Sequence, residues 1–139
     1  MRCTGGCNDN NACTSDSCDP AVGCSHQSLA DGTECGDRVC LGGSCVTPTF
    51  NANVNPILEH YCAGCHKNSP CSAGRCFVGD YSVATASTAS GACTSRNADT
   101  VAECIAARAF DGSMPPFGAD VTALEVNILQ AWVTAGAPE

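Results

Sequence analysis

Cysteine content constrains this chain more than any other feature. Fourteen of its 139 residues are cysteine, a density typical of disulfide-stapled proteins in oxidising compartments. Eight of them lie in the first 47 residues, at positions 3, 7, 13, 18, 24, 35, 40 and 45. This segment contains almost no large apolar side chains, so crosslinks must replace a hydrophobic core. The paired C-x2-C knuckles of zinc modules are missing, because the spacing occurs only at 62–65.

Composition changes near residue 48, which predicts two domains. Residues 1–48 are expected to form a disulfide-stapled, coil-rich module. Its eight cysteines allow roughly a hundred pairings, among which the sequence does not choose. Residues 49–139 carry the apolar periodicity of helices. The segment Thr47-Pro48-Thr49 between them is interpreted as an extended linker, because proline disfavours helix at the residue before it.

Apolar residues at 54, 57, 58 and 61 have helical spacing and predict a helix that runs into Cys62. Asn53 or Asn55 is a candidate cap for this helix, and Pro56 suits its first turn. A second helix is expected over residues 100–110, and residues 67–98 are interpreted as loop. We therefore expect a mainly α fold, a small helical domain with long loops after a coil-rich module.

The third predicted helix has the clearest signals. Thr122 and Glu125 have the spacing of a capping box, in which each side chain satisfies a free backbone N–H of the first turn. An apolar stripe follows at positions 124, 128, 129, 132 and 133. Gly136 is expected to end the helix, since glycine tolerates the left-handed conformation found there.

One motif carries chemistry, namely Cys62-Ala-Gly-Cys65-His66. Haem c is attached by thioether bonds from two cysteines separated by two residues, and the next histidine ligates the iron. The two cysteines alone would also suit a redox dithiol or half of a zinc site. The histidine directly after Cys65 favours haem. The sequence therefore predicts one covalently bound haem c with His66 as an axial ligand.

Met114 is the candidate for the second axial ligand. It lies in Ser113-Met114-Pro115-Pro116, where the prolines stiffen the backbone and remove N–H donors. The alternative is a plain core methionine. Ligation by His66 and Met114 raises the reduction potential relative to two histidines. It also leaves no open iron position, which favours electron transfer over catalysis.

Residues 50–139 resemble a small class I-type cytochrome c domain, and are most similar to bacterial planctomycete-type cytochrome c domains. The resemblance is carried by CxxCH at the end of a helix, then by Asp80-Tyr81-Ser82-Val83, Met114-Pro115-Pro116 and Trp132-Val133-Thr134-Ala135-Gly136-Ala137. It implies His66 and Met114 as axial ligands. It also implies crossing first and last helices, with Tyr61 and Trp132 near the crossing.

This segment departs from that family by four additional cysteines, at 71, 76, 93 and 104. Two disulfides are expected among them. We favour the local pairs 71–76 and 93–104, because short loops close at low entropic cost. These bridges would brace a long loop that has few apolar anchors.

Residues 3–45 resemble the cysteine-rich repeats of secreted bacterial and slime-mould surface proteins. Residues 7–19 follow the pattern C-x-D-x-N-x-C-T-x-D-x-C-D, and residues 31–35 match a second element of those repeats. Four oxygen-bearing side chains in the first pattern could gather calcium: Asp9, Asn11, Asp16 and Asp19. The alternative is turn chemistry, in which these side chains bond nearby backbone. His26 and His60 are interpreted as surface residues.

The net charge and the hydropathy of the chain limit which partners and which location it can have. The net charge of −8 excludes nucleic-acid binding through a basic face and favours basic partners. No apolar run is long enough to span a membrane. A signal peptide is absent, yet disulfides and haem attachment imply export. We therefore expect a periplasmic or extracellular bacterial protein whose targeting segment has been removed.

The combined expectation is an exported electron carrier, not an enzyme, that passes single electrons between redox protein partners. The alternative is a subunit of an extracellular filament or surface assembly. In that case the cysteine-rich module would mediate homo-oligomerisation, and a haem in each subunit could make the assembly conductive.

Overall fold

Short strands joined by tight turns build the first part of the chain. The computed structural model describes residues 3–116 and 120–139. An antiparallel hairpin pairs β1, Thr14–Asp19, with β2, Gly23–Ser28. A three-stranded antiparallel sheet follows in the order β3-β4-β5, with bounds Glu34–Cys35, Arg38–Leu41 and Ser44–Val46. Gly42 and Gly43 connect β4 to β5 with φ of 58° and 81°, which the mirror-image hairpin turns require.

Four disulfides take the place of a core in this module. The bonds are Cys3–Cys18, Cys7–Cys24, Cys13–Cys40 and Cys35–Cys45. Cys13 and Cys40 are fully buried, and their bond ties the segment before β1 to the three-stranded sheet. The hairpin strands themselves are mostly exposed, so the crosslinks hold them instead of apolar burial.

The other described residues are mainly helical or loop. A π-helical turn, Phe50–Val54, leads into the first helix. The helices and the 3-10 turn are α1 Asn55–Tyr61, α2 Ala63–His66, the turn Ser72–Gly74, α3 Tyr81–Ala84, α4 Gly91–Thr94, α5 Val101–Phe110 and α6 Ala123–Thr134. Among the residues that the structure describes, no helix has both the length and the apolar character needed to cross a membrane.

Trp132 on α6 lies at the centre of the apolar core. Its side chain is fully buried, and its indole N–H donates to the Pro138 carbonyl at 2.8 Å. The Phe50 ring packs 5.9 Å from the indole, and the Tyr81 ring lies 5.5 Å from Phe50. Buried residues of α1, α5 and α6 complete one continuous cluster, so the π-helical turn and the long helices share a single core.

The cysteine-rich module packs directly on α6. Val39 of β4 is buried within the main apolar cluster, and the Asn127 amide donates to the Gly32 carbonyl at 3.2 Å. Gly32 has a φ of 92°, and a Cβ atom there would lie 2.4 Å from the Leu124 carbonyl oxygen. Glycine is therefore required at this contact, both for its conformation and for the close approach of the two backbones.

The predicted fold class was wrong. The described residues form a disulfide-rich mixture with 37% in helices and 17% in strands, so the fold is not mainly α, and the first module contains five strands rather than coil alone. The strands escaped prediction because they lack the apolar alternation that normally marks a half-buried strand. Disulfides and turns, rather than a buried face, hold these strands together.

The positions of the long helices and the cap of α6 were predicted correctly, but the cap of α1 was not. Helices α5 and α6 begin after Thr100 and Thr122, and each has a complete capping box. The predicted capping of α1 by Asn53 or Asn55 was wrong. Asn53 accepts a bond from the Thr49 N–H, and Asn55 accepts one from Gly79. The π-helical turn already satisfies the first amides of α1, so these need no side-chain cap.

Candidate functional site

An apolar cleft between α1, α2, α5 and the segment around residue 114 is the candidate site. Its cavity volume is about 190 Å³, and the empty space that includes the part open to solvent is about 1020 Å³. Its walls are mainly apolar: Ile57, Leu58, Tyr61, Phe77, Val101, Ile105, Ala109, Val121 and Leu129. Cys62, Cys65, His66 and Met114 also line it, so the cleft brings together all four residues that the sequence singled out for haem.

A helix break places the two cysteines. Cys62 ends α1, and α2 begins one residue later. The Cys62 carbonyl accepts bonds from the N–H groups of Cys65 and His66, at 3.2 and 2.9 Å. The motif thus forms a single tight turn whose three reactive side chains all reach the cleft. Cys65 is exposed and Cys62 is half-buried.

Cys62 and Cys65 are unpaired in a chain that crosslinks its other cysteines. The six disulfides include Cys71–Cys76 and Cys93–Cys104, so the predicted local pairing of these four cysteines is confirmed. Burial, with a smaller contribution from the neighbouring Cys65, raises the pKa of the Cys62 thiol to about 11. Redox-active dithiols have a lowered thiol pKa instead, so this environment disfavours the dithiol alternative.

The His66 ring is held in one orientation with one nitrogen free. Its Nδ1 lies 2.8 Å from the Arg75 carbonyl oxygen, which can only accept, so Nδ1 carries the proton and Nε2 keeps its lone pair. The Phe77 ring stacks on the imidazole with centroids 4.5 Å apart and 22° between the planes. Histidine ligands of metals typically donate their second ring N–H to a carbonyl in this way.

The Cys71–Cys76 bond positions the carbonyl that orients His66. It joins two cysteines that are five residues apart in sequence, and Arg75 lies between them. The Phe77 stack and the Arg75 contact were both missed by the sequence analysis. They depend on how this loop folds back over α2, and no periodicity or motif in residues 67–78 indicates it.

The segment that carries Met114 is anchored by polar contacts. The Met114 N–H donates to the Arg108 carbonyl at 3.2 Å. Asp111 accepts from Arg96 at 2.6 Å and from the Ser113 N–H at 2.8 Å. Hydrogen bonds from Ser113 and then the Arg96 guanidinium hold the pKa of Asp111 down at about 2. The loop before Met114 therefore keeps its anchoring carboxylate ionised at neutral and mildly acidic pH.

The side chains present in the cleft fit a covalently attached haem. Two unpaired thiols suit thioether attachment, and an imidazole with a free Nε2 together with a thioether sulfur are suitable axial ligands for haem iron. The mainly apolar walls suit the macrocycle. A zinc site fits less well, because the structural sites of that metal take four closely grouped Cys or His ligands.

Tyr61 links the cleft to α6. Its hydroxyl donates to Glu125 Oε2 at 2.8 Å, and this hydrogen bond to a carboxylate raises the pKa of the Tyr61 phenol. Glu125 is also the reciprocal residue of the α6 capping box. Tyr61 therefore lies beside the first turn of α6, and the crossing of the first and last helices stays a prediction.

The candidate calcium residues are only partly brought together. Asp9 and Asp16 face the His26 ring, with Nδ1 of His26 2.7 Å from Asp16 and 3.5 Å from Asp9. Asn11 accepts from the Cys13 N–H, and Asp19 accepts from the N–H of residue 21. These two side chains thus follow the alternative, turn chemistry. Calcium binding stays a prediction.

His26 is exposed, as predicted, and its ring pairs with Asp16. The hydrogen bond from His26 to Asp16 raises the pKa of His26, and the Asp9 and Asp16 charges add to the effect. Asp9 in turn has a lowered pKa, first because it accepts a bond from the Asn11 N–H. The pairing of residues 16 and 26 across β1 and β2 was not predicted, since it requires the strand register.

Comparison with known proteins finds a matching family model for one short segment of the chain. A family model described as Dictyostelium (slime mold) repeat matches residues 6–28. The matched stretch contains β1 and β2 and agrees with the resemblance of the first module to slime-mould repeats, over a shorter range than residues 3–45. No curated protein and no solved structure matches the chain.

The assignment of residues 49–139 to a cytochrome c family was wrong. The comparisons show a cysteine-rich repeat at residues 6–28 and no cytochrome c domain. The segments that carried the resemblance are short, and the region between them is braced by Cys71–Cys76 and Cys93–Cys104, which that family pattern lacks.

The cysteines also indicate the environment of the chain. The six disulfides indicate an oxidising, extracellular or secreted environment. The match to a slime-mould repeat at residues 6–28 is consistent with it.

Proposed function

We propose that this chain binds one haem covalently in the apolar cleft and carries single electrons between redox protein partners. The observation that supports the proposal is the convergence of Cys62, Cys65, His66 and Met114 on one cleft with apolar walls. Met114 lies far from Cys62, Cys65 and His66 in sequence, so a chance local motif does not explain why all four line one cleft.

The residues of the chain have distinct roles in this proposal. The Cys62 and Cys65 thiols would hold the haem covalently, each by adding its S–H across a vinyl group so that one C–S and one C–H bond form. His66 presents Nε2 to the iron, because the Arg75 carbonyl holds Nδ1–H. Met114 offers its sulfur from a segment anchored at Asp111.

When bound, the haem supplies one-electron chemistry, since its iron alternates between Fe(II) and Fe(III). His66 and Met114 would both hold the iron, so we propose a carrier rather than an enzyme. Cys65 is exposed, so the cleft reaches the molecular surface where a partner can approach. The net charge of −8 favours basic partners.

We further propose that the chain acts in the bacterial periplasm or outside the cell. Covalent haem attachment needs reduced thiols at Cys62 and Cys65, while the other cysteines are oxidised in pairs. An export route that attaches haem before or during disulfide formation satisfies both requirements.

The test is the intact mass of the exported chain produced in a bacterium that attaches haem c. The wild-type chain is expected to carry the mass of one haem, retained after denaturation. The double variant Cys62→Ala/Cys65→Ala is expected to carry none, because no thioether can form.

The matched control is Cys35→Ala/Cys45→Ala, which also removes two cysteines but from a disulfide of the first module. It is expected to keep the haem. A wild-type chain that has no added mass, or a 62/65 double variant that still retains the haem covalently, would contradict the proposal.

A second candidate, a subunit of a surface assembly, is favoured by the hairpin of β1 and β2. Every strand residue is half-buried or exposed, and Val22 in its turn is 76% exposed. An exposed two-stranded hairpin offers edges to which another chain can pair. Light scattering and electron microscopy of native material test this candidate, and a strictly monomeric native protein would exclude it.

A further inference from the structure

Two arginines line the cleft, although cations are scarce in this chain. The sequence has six Lys and Arg residues against fourteen Asp and Glu. Arg75 and Arg108 both contribute to the walls of the cleft and are half-buried. In so acidic a protein, two arginines at the edge of one apolar cleft require an explanation.

Neither arginine is neutralised by the protein. Within residues 3–116 and 120–139 the ion pairs of Lys and Arg are Lys67–Glu59 and Arg96–Asp111. The Arg75 guanidinium donates to the Thr88 hydroxyl at 3.0 Å, and Arg108 donates to the Ser113 hydroxyl at 3.2 Å. Both partners are neutral, so both charges remain uncompensated beside an apolar cavity, where a cation is costly without an anion.

The backbones of the same two arginines hold the proposed axial ligands. The Arg75 carbonyl accepts from His66 Nδ1 at 2.8 Å, and the Arg108 carbonyl accepts from the Met114 N–H at 3.2 Å. One guanidinium therefore belongs to the segment behind His66, and the other belongs to the helix before Met114. This arrangement provides one cation beside each of the two ligand segments.

We propose that Arg75 and Arg108 are the anion-binding residues of the cleft and pair with the propionate carboxylates of the haem, an inference that rests on the proposed function. A guanidinium presents several N–H donors in a plane and matches a carboxylate with two parallel hydrogen bonds. The macrocycle is apolar apart from its iron and these carboxylates. The two arginines are thus the complementary charges that the cleft offers.

The test uses the haem-loaded chain and compares Arg75→Gln and Arg108→Gln with Arg38→Gln. Arg38 is exposed on β4, outside the residues that line the cleft, and its replacement changes the net charge by the same amount. The readouts are the midpoint potential and its dependence on pH. The pH dependence is informative because a loss of packing alone leaves the charge beside the propionic acid unchanged.

The expected direction follows from charge. Removal of a nearby cation stabilises Fe(III), so Arg75→Gln and Arg108→Gln are expected to lower the potential more than Arg38→Gln does. A propionic acid paired with arginine ionises at low pH, and its ionisation lowers the potential. Loss of the arginine is expected to move this step to higher pH by about one to three units. Arg75→Lys keeps the charge, so its midpoint potential and the pH of this ionisation are expected to stay near the wild-type values.

The outcomes separate this inference from the proposed function. If the wild-type chain carries haem but the two cleft variants match Arg38→Gln, the inference is wrong and the proposed function stands. If the wild-type chain carries no haem, both are wrong. If one of the two cleft variants does not accumulate, the other is compared with Arg38→Gln and still decides, since the inference predicts a lower potential in the cleft variant.

Discussion

The His66 side chain is held by contacts from residues outside its own motif. His66 has one ring nitrogen occupied by the Arg75 carbonyl and one face covered by Phe77. The sequence predicted His66 as a ligand from its place after Cys65. It could not predict the tautomer, because the partner carbonyl lies nine residues away in sequence.

Replacement of Met114 is expected to change the coordination of the iron without unfolding the chain. Met114→Leu keeps a similar volume but removes the sulfur, and such exchanges usually cost less than about 1.5 kcal/mol. The absorption band of methionine bound to Fe(III) is expected to disappear, and added small ligands are expected to bind. Val121→Ala, at another wall of the cleft, serves as the control. An unchanged spectrum in Met114→Leu would show that Met114 is not a ligand.

His26 is expected to titrate above the usual pH of a histidine. The Asp16 hydrogen bond raises its pKa from the ordinary 6.5, with Asp9 as a further contributor. A raised pKa in the folded state stabilises the fold below pH 6.5, and this contribution is lost as the pH rises through the folded-state value. Asp16→Asn is expected to return the pKa toward 6.5, whereas Asp19→Asn should leave it unchanged. NMR of the His26 ring measures both, and equal pKa values in Asp16→Asn and wild type would contradict the pairing.

At the scale of elements, the helices follow local signals and the strands do not. The capping box of α6 was read directly from Thr122 and Glu125, and the structure has both of its hydrogen bonds. Strands β1 to β5 are specified by turns and crosslinks between distant cysteines, such as Cys13 with Cys40. Sequence periodicity carries no information about those bonds, so the module was predicted as coil.

Loss of either capping threonine is expected to destabilise the helical part. Thr100→Ala and Thr122→Ala each remove an acceptor for a first-turn N–H, which typically costs about 1 kcal/mol in the free energy of unfolding. Thr134→Ala, at the exposed last turn of α6, is the matched control and should change stability much less. Urea unfolding followed by helix circular dichroism gives the three values. Equal losses at all three positions would contradict the capping role.

At the scale of the whole molecule, two differently stabilised parts share one interface. The module contributes Val39 to the common core and approaches α6 at Gly32. The sequence indicated a boundary near residue 48 and a module too poor in apolar residues to fold without support. It did not indicate the docking surface, because the contact at Gly32 depends on the close approach of two backbones that are far apart in sequence.

Removal of individual disulfides is expected to destabilise the chain according to the length of the loop each one closes. Cys13–Cys40 spans 27 residues and Cys71–Cys76 spans 5. Loop-closure entropy alone predicts losses of about 3.6 and about 2.2 kcal/mol for the two paired alanine replacements. Loss of Cys13–Cys40 is also expected to weaken the docking of the module on α6. Denaturant unfolding of both double variants compares them directly, and a larger loss for the 71–76 pair would contradict this ranking.

We propose that Cys62, Cys65, His66 and Met114 hold a haem for electron transfer, and the visible absorption spectrum of the native exported protein detects such a haem. We expect the sharp bands of a six-coordinate, low-spin haem c after reduction. After oxidation, we expect the weak band of methionine bound to Fe(III). A native protein without visible absorption, whose Cys62 and Cys65 are free thiols or joined as a disulfide, would show that these residues hold no haem.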